Sequence, residues 1–148
     1  MALRAAVSDL TSADPVELMK NADLALYEAK TAQRGTFRLF TGSMDDLAKR
    51  RRKIESDLRS ALSGEGKLNL AYQPFYSPDG DIVGAEALIR WEHPIHGALP
   101  PEQFIRIAEE RGLIVQLGRH VLREACLYAR RSTLPWVAVN VSPVQIRK

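Results

Sequence analysis

Val83-Gly84-Ala85-Glu86-Ala87-Leu88-Ile89-Arg90-Trp91 has the length and apolar content of a buried strand, yet it places a carboxylate and a guanidinium inside it. Side chains alternate across a strand, so Glu86, Leu88 and Arg90 share one face while Ala85, Ala87, Ile89 and Trp91 share the other. One face is chemical and the other is packing. Separated by two strand periods, Glu86 and Arg90 can hold a cation and a phosphate independently instead of neutralising each other. Taken alone, the same nonapeptide is also compatible with a buried or edge ion pair.

The rest of the chain narrows the reading. The chain has 148 residues, 45% hydrophobic and 26% charged, enough to bury a core, and a net charge of +3 that fits an anionic ligand and an ordinary soluble protein equally well. A single cysteine, Cys126, rules out an internal disulfide and agrees with a reducing cytoplasm; its helical setting suggests a small core filler. No run is apolar enough to cross a bilayer, and the first residues lack the core of a signal peptide, so no membrane contact is expected of this segment.

Asp14-Pro15-Val16-Glu17 is a helix start, and the helix runs towards Arg34-Gly35 with a stripe through Val16, Met19, Asp23, Leu26, Tyr27 and Lys30. Thr36 to Phe40 alternates as a short strand. A second helix opens near Ser43-Met44-Asp45-Asp46, passes through the basic run Lys49 to Lys53, and stops at Gly64. Its stripe, Leu47, Ile54, Leu58 and Ala61, suits a connecting or pairing helix. The basic run has no interleaved aromatic residue, so nucleic acid is not the expected partner. Lys67 to Tyr76 alternates as a strand, and Pro78-Asp79-Gly80-Asp81 turns it back antiparallel onto the Glu86 strand, which places Gln73 near Glu86. His93 and His96 lie in a loop whose spacing, with no cysteine nearby, gives little support to zinc. Two amphipathic helices follow, Pro100-Pro101 to Glu110 and Ile114 to Arg131. Then Trp136 to Ser142 reads as a strand with Val137, Val139 and Val141 outward and Ala138, Asn140 and Ser142 inward. A strand, helical crossover and strand imply a parallel β/α arrangement. Glu86 and Asn140 are then two hard oxygen donors on inward faces, suited to Mg²⁺ or Mn²⁺, and Arg90 can clamp a phosphate.

Glu86-Ala87-Leu88-Ile89-Arg90-Trp91 resembles the signature of the EAL family of bacterial phosphodiesterases, which open the signalling dinucleotide cyclic di-GMP. Tyr72-Gln73-Pro74, Pro100 to Ile105 and Val139 to Ser142 match the family's flanking blocks in order. The resemblance implies that Glu86 and Asn140 are metal ligands and that Gln73, Leu88 and Arg90 contact substrate. Ala22 to Lys30 is similar to the last helix of a GGDEF domain, the cyclic di-GMP synthesising fold. In that family Lys30 and Arg34 correspond to phosphate-contacting positions, although Gln33-Arg34-Gly35 departs from its usual Gly-Arg-Asn, and a solvated pair at a helix end is the plainer reading.

The fold expectation is therefore α/β: an incomplete (β/α) barrel of EAL type over residues 65–148, preceded by a linker helix over 43–64 and the last helix and strand of a GGDEF domain over 1–42. The GGDEF signature loop would lie upstream, so cyclase activity is not expected of this chain. The EAL family's later carboxylates and catalytic lysine would lie downstream, so no catalytic set is complete, and the open sheet edge beside Val139 and Val141 predicts association with a second copy or with the missing portion of the domain. The functional expectation is a cytoplasmic signalling fragment whose parent hydrolyses cyclic di-GMP to the linear dinucleotide pGpG. The alternative is a non-catalytic nucleotide-sensing or dimerisation module.

Overall fold

The computed structural model describes residues 14–32 and 39–146. They fall into two compact units, Met1–Lys53 and Ile54–Lys148.

In the first unit, α1 spans Pro15–Ala32. Asp14 caps it by accepting a hydrogen bond from the Val16 amide at 3.0 Å, and Pro15 supplies the first helical φ. The buried stripe is Ala22, Ala25 and Ala29, whereas Val16 and Met19 of the expected stripe are exposed. The helix thus turns its small side chains inward and its larger apolar ones at Val16 and Met19 outward. Helix α2, Gly42–Ser60, begins here. Asp45 on α2 bonds Lys20 of α1 and Lys49 one turn on, both at 2.9 Å. These two ammonium groups hold the Asp45 carboxyl at about 2, against an ordinary 3.8. Thr36, Phe37, Arg38 and Arg34 lie outside the described residues; Lys30 is exposed near the end of α1.

The second unit is built on a four-stranded sheet. Strand β1 (Lys67–Tyr76) pairs antiparallel with β2 (Ile82–His93), and β2 pairs antiparallel with the short β3 (Gly97–Leu99) and parallel with β4 (Val137–Val139). Between β3 and β4 run α3 (Pro101–Glu110) and α4 (Ile114–Arg131); α5 (Pro143–Ile146) follows β4. The hairpin and the parallel crossover read from the sequence are both present. Gly112, at φ 72°, occupies the left-handed region that lets the chain turn from α3 into α4.

The helices cover one face of the sheet. Leu68, Trp91, Leu99, Phe104, Ile107 and Leu117 are buried together there, with Trp91 and Phe104 meeting edge to face at 5.4 Å. The last turns of α2 belong to the same core through Ile54 and Leu58, while Leu47 of the expected stripe is exposed. Tyr72 fastens β1 to α4: its hydroxyl donates to the Glu124 carbonyl at 3.4 Å and its ring stacks on Tyr128 at 3.6 Å. Burial, reinforced by Tyr128 and Glu124, pushes the Tyr72 phenol up. Cys126 is exposed on α4, not a core filler: its neighbour Ala125 takes the inward position.

Two consequences are measurable. Trp91→Ala removes the largest fully buried side chain and should cost about 3 to 5 kcal/mol in a denaturant titration. Because the Asp45 carboxyl is held below its ordinary value, the Lys20–Asp45–Lys49 cluster stabilises fully above about pH 4 and loses that contribution as pH falls through about 2. The stability difference between the protein and Asp45→Asn should therefore shrink over that interval and vanish below it.

Candidate functional site

The site lies on the sheet face opposite the helices. The strand registers set Gln73 opposite Glu86, Ala71 opposite Leu88 and Asn69 opposite Arg90, with Ala138 of β4 beside Glu86. Residues two apart on a strand share a face, so Gln73, Glu86, Leu88 and Arg90 form successive rows on one surface. Their partners in sequence, Ala85, Ala87 and Trp91, are buried on the other surface. Below these rows the face closes with aromatic carbon. Phe75 stacks on Trp136 at 5.1 Å, and Trp136 lies so close over Gly84 that a Cβ there would stand 2.5 Å from its ring.

Asn140 follows directly on β4, and its Nδ2 donates to Glu86 Oε1 at 2.6 Å. Two of the expected site residues, 54 positions apart in sequence, are thereby in direct contact. Rotation about the Asn140 Cβ–Cγ bond exchanges Nδ2 for Oδ1, so the same pair can present two oxygens to one cation. Hard oxygen donors of this kind suit Mg²⁺ or Mn²⁺, which take six ligands and keep several waters. Among the described residues, no group of three His, Cys, Asp or Glu side chains gathers to complete such a sphere. Arg90 is exposed, and its guanidinium donates to the Ile89 carbonyl at 3.0 Å, not to Glu86. The separation of the two charges along the strand is therefore real, and the guanidinium retains donors for an anion.

Asn140 also lines a cleft of about 260 Å³, together with Leu88, Arg90, Ile105, Ile114 and Gln145. Two residues around it were not legible as functional. Glu109 reads as a solvated helix carboxylate but is half-buried and accepts from Ser142 Oγ at 2.6 Å. Ser142 itself corrects the expected inward row: the strand ends at Val139, and Ser142 turns towards α3 while its Oγ accepts from the Val144 amide at 3.2 Å. Pro143 at the start of α5 is the signal for this break.

The His93 and His96 loop is a structural pin. His93 Nδ1 accepts from the amides of Ile95 and His96 at 3.1 and 3.2 Å, and Nε2 stands 2.9 Å from Asp57 Oδ2 on α2. Both ring nitrogens are engaged, and the side chain has no solvent exposure.

The EAL domain model matches residues 55–148. The bifunctional diguanylate cyclase/cyclic di-GMP phosphodiesterase MucR of Pseudomonas aeruginosa is 45% identical over 135 residues, 87% of this chain and 20% of MucR. The cyclic di-GMP phosphodiesterase PdeR of Escherichia coli is 37% identical over 145 residues, 95% of this chain and 22% of PdeR. The chain thus spans about a fifth of the length of these relatives. Among solved structures, the PaMucR phosphodiesterase in complex with c-di-GMP superposes with a TM-score of 0.57 at 46% identity, covering 64% of this chain and 40% of that one. The FimX EAL domain of Xanthomonas citri in complex with c-di-GMP gives 0.57 at 25% identity, covering 70% and 42%. No helix among the described residues is long and apolar enough to cross a membrane. The matched span, the partial barrel-like sheet and the Glu86-bearing face agree: the chain belongs to the EAL domain family.

Proposed function

We propose that residues 54–148 form part of the substrate face of a phosphodiesterase that hydrolyses cyclic di-GMP to linear pGpG. The observation that carries the reading is the 2.6 Å contact between Asn140 and Glu86, which pairs two hard-oxygen side chains on the open face of the sheet. Glu86 and Asn140 are assigned as ligands of Mg²⁺ or Mn²⁺. When bound there, such a cation would neutralise phosphate charge and acidify a coordinated water. Arg90 is assigned to a phosphate of the substrate, which its planar fork can hold by paired N–H bonds. Leu88 offers the apolar surface between the two charges, and Gln73, across the ladder from Glu86, offers an amide to the same ligand.

Helix α1 is read as the end of a preceding GGDEF domain, with residues 43–64 as the connecting helix. Support comes from Ala22 to Lys30 and from MucR, whose name pairs a cyclase with a phosphodiesterase. The setting proposed is cytoplasmic. The outer edge of β4, which has no partner among the described residues, is assigned to further strands of the barrel or to a second copy.

A second reading, nucleotide sensing without turnover, is favoured by the donor set: one carboxylate and one amide, with no cluster of three His, Cys, Asp or Glu side chains among the described residues. One titration addresses both. The chain should bind cyclic di-GMP in the presence of MgCl₂, with no pGpG formed; measurable hydrolysis would show that the set is sufficient. Glu86→Gln and Asn140→Ala should each weaken the metal-supported binding about tenfold or more, and Arg90→Lys by about tenfold. Wild-type affinity in all three variants would overturn the assignment.

A further inference from the structure

Asn140 lies in the irregular segment just after β4, where the parallel ladder has ended at Val139, so the sheet alone does not fix its side chain. The next fixed point is Ser142. Its hydroxyl donates to Glu109 Oε1 on α3 at 2.6 Å, and its amide donates to Gln145 Oε1 at 3.0 Å. Gln145 in turn lies so tightly against Gly118 of α4 that a Cβ at that position would overlap its carboxamide. The segment Asn140-Val141-Ser142 is therefore held by β2 at one end and by both crossover helices at the other. A half-buried carboxylate on a hydroxyl makes a strong, short hydrogen bond. It ties the end of the segment to α3.

We propose that Glu109 is a positioning residue for Asn140, acting through Ser142, so that the helix layer sets the aim of the Asn140 carboxamide at Glu86. This inference deepens the metal assignment above and rests on it for its functional meaning. The positioning itself can be read without metal. In the metal-free chain, the Asn140 side-chain NH₂ resonances report the bond to Glu86 by their shift and by slowed exchange with water. Glu109→Ala and Ser142→Ala should both move these resonances towards free-carboxamide values and speed their exchange. Glu109→Gln, which keeps an acceptor for the hydroxyl, and Ser142→Thr, which keeps the donor, should retain them.

With MnCl₂ as the probe, paramagnetic broadening at Glu86 and Asn140 should require about tenfold more metal in the two alanine variants and less than twofold more in the conservative pair, the size expected for a residue that orients a ligand. If the Asn140 NH₂ resonances of both alanine variants overlay on the wild type, the positioning role is wrong whatever the metal does. If they move as stated, the role stands, even where Glu86→Gln and Asn140→Ala leave Mn²⁺ broadening unchanged and so remove the metal assignment alone. A far-UV melt of each variant separates local release from global unfolding: loss of the Asn140 signals with an unchanged melt supports the role, and their loss only alongside a collapsed melt in all four variants refutes it.

Discussion

The parallel ladder between β2 and β4 is the constraint on which the site depends. It opposes Ala85 to Val137, Glu86 to Ala138 and Ala87 to Val139, and so decides which β4 residue stands beside the carboxylate. A slip of one residue would exchange the faces of β4, sending Ala138 and the residues in phase with it to the helix side and the valines to the open face. The packing face resists that slip. Trp91 and Phe104 are fully buried in a core shared by β2, α3 and α4. Chemistry on one surface is thus held in register by hydrocarbon on the other.

Much of this was legible in the sequence because strand alternation is a strict rule. The division of β2 into Glu86, Leu88 and Arg90 against Ala85, Ala87 and Trp91 holds throughout, and so does the placement of Gln73 across from Glu86, since a short turn after Tyr76 leaves few registers. The convergence of Glu86 and Asn140 needed one more step, the parallel sense of the crossover, which the helical stretch between them supplied.

What was illegible depended on contacts between distant segments. Alternation extrapolated past Val139 assigned Ser142 inward, where a proline-initiated turn redirects it. Glu109 looks like any helix carboxylate until Ser142 reaches it across 33 residues. His93 resembles a metal ligand by type, and only the fold reveals that two amides and Asp57 occupy its nitrogens. In α1 the alanines, not the larger apolar residues, are the buried stripe, because a stripe's phase is set by what the helix packs against. In helix α2 and just past its end, the expected stripe holds at Ile54, Leu58 and Ala61, which are buried, and fails only at Leu47, which is exposed.

The clasp of Tyr72 on the Glu124 carbonyl joins residues 52 apart, whereas the hairpin contacts are local in sequence. The β1–β2 hairpin closes a short loop and can form on the microsecond scale, so Gln73 and Glu86 meet early. Asn140 reaches Glu86 across α3 and α4, a closure of high contact order. The carboxylate is thus set by a contact local in sequence and the amide by one that spans the whole helical crossover, so the pair is complete only when both the hairpin and the helix layer are in place.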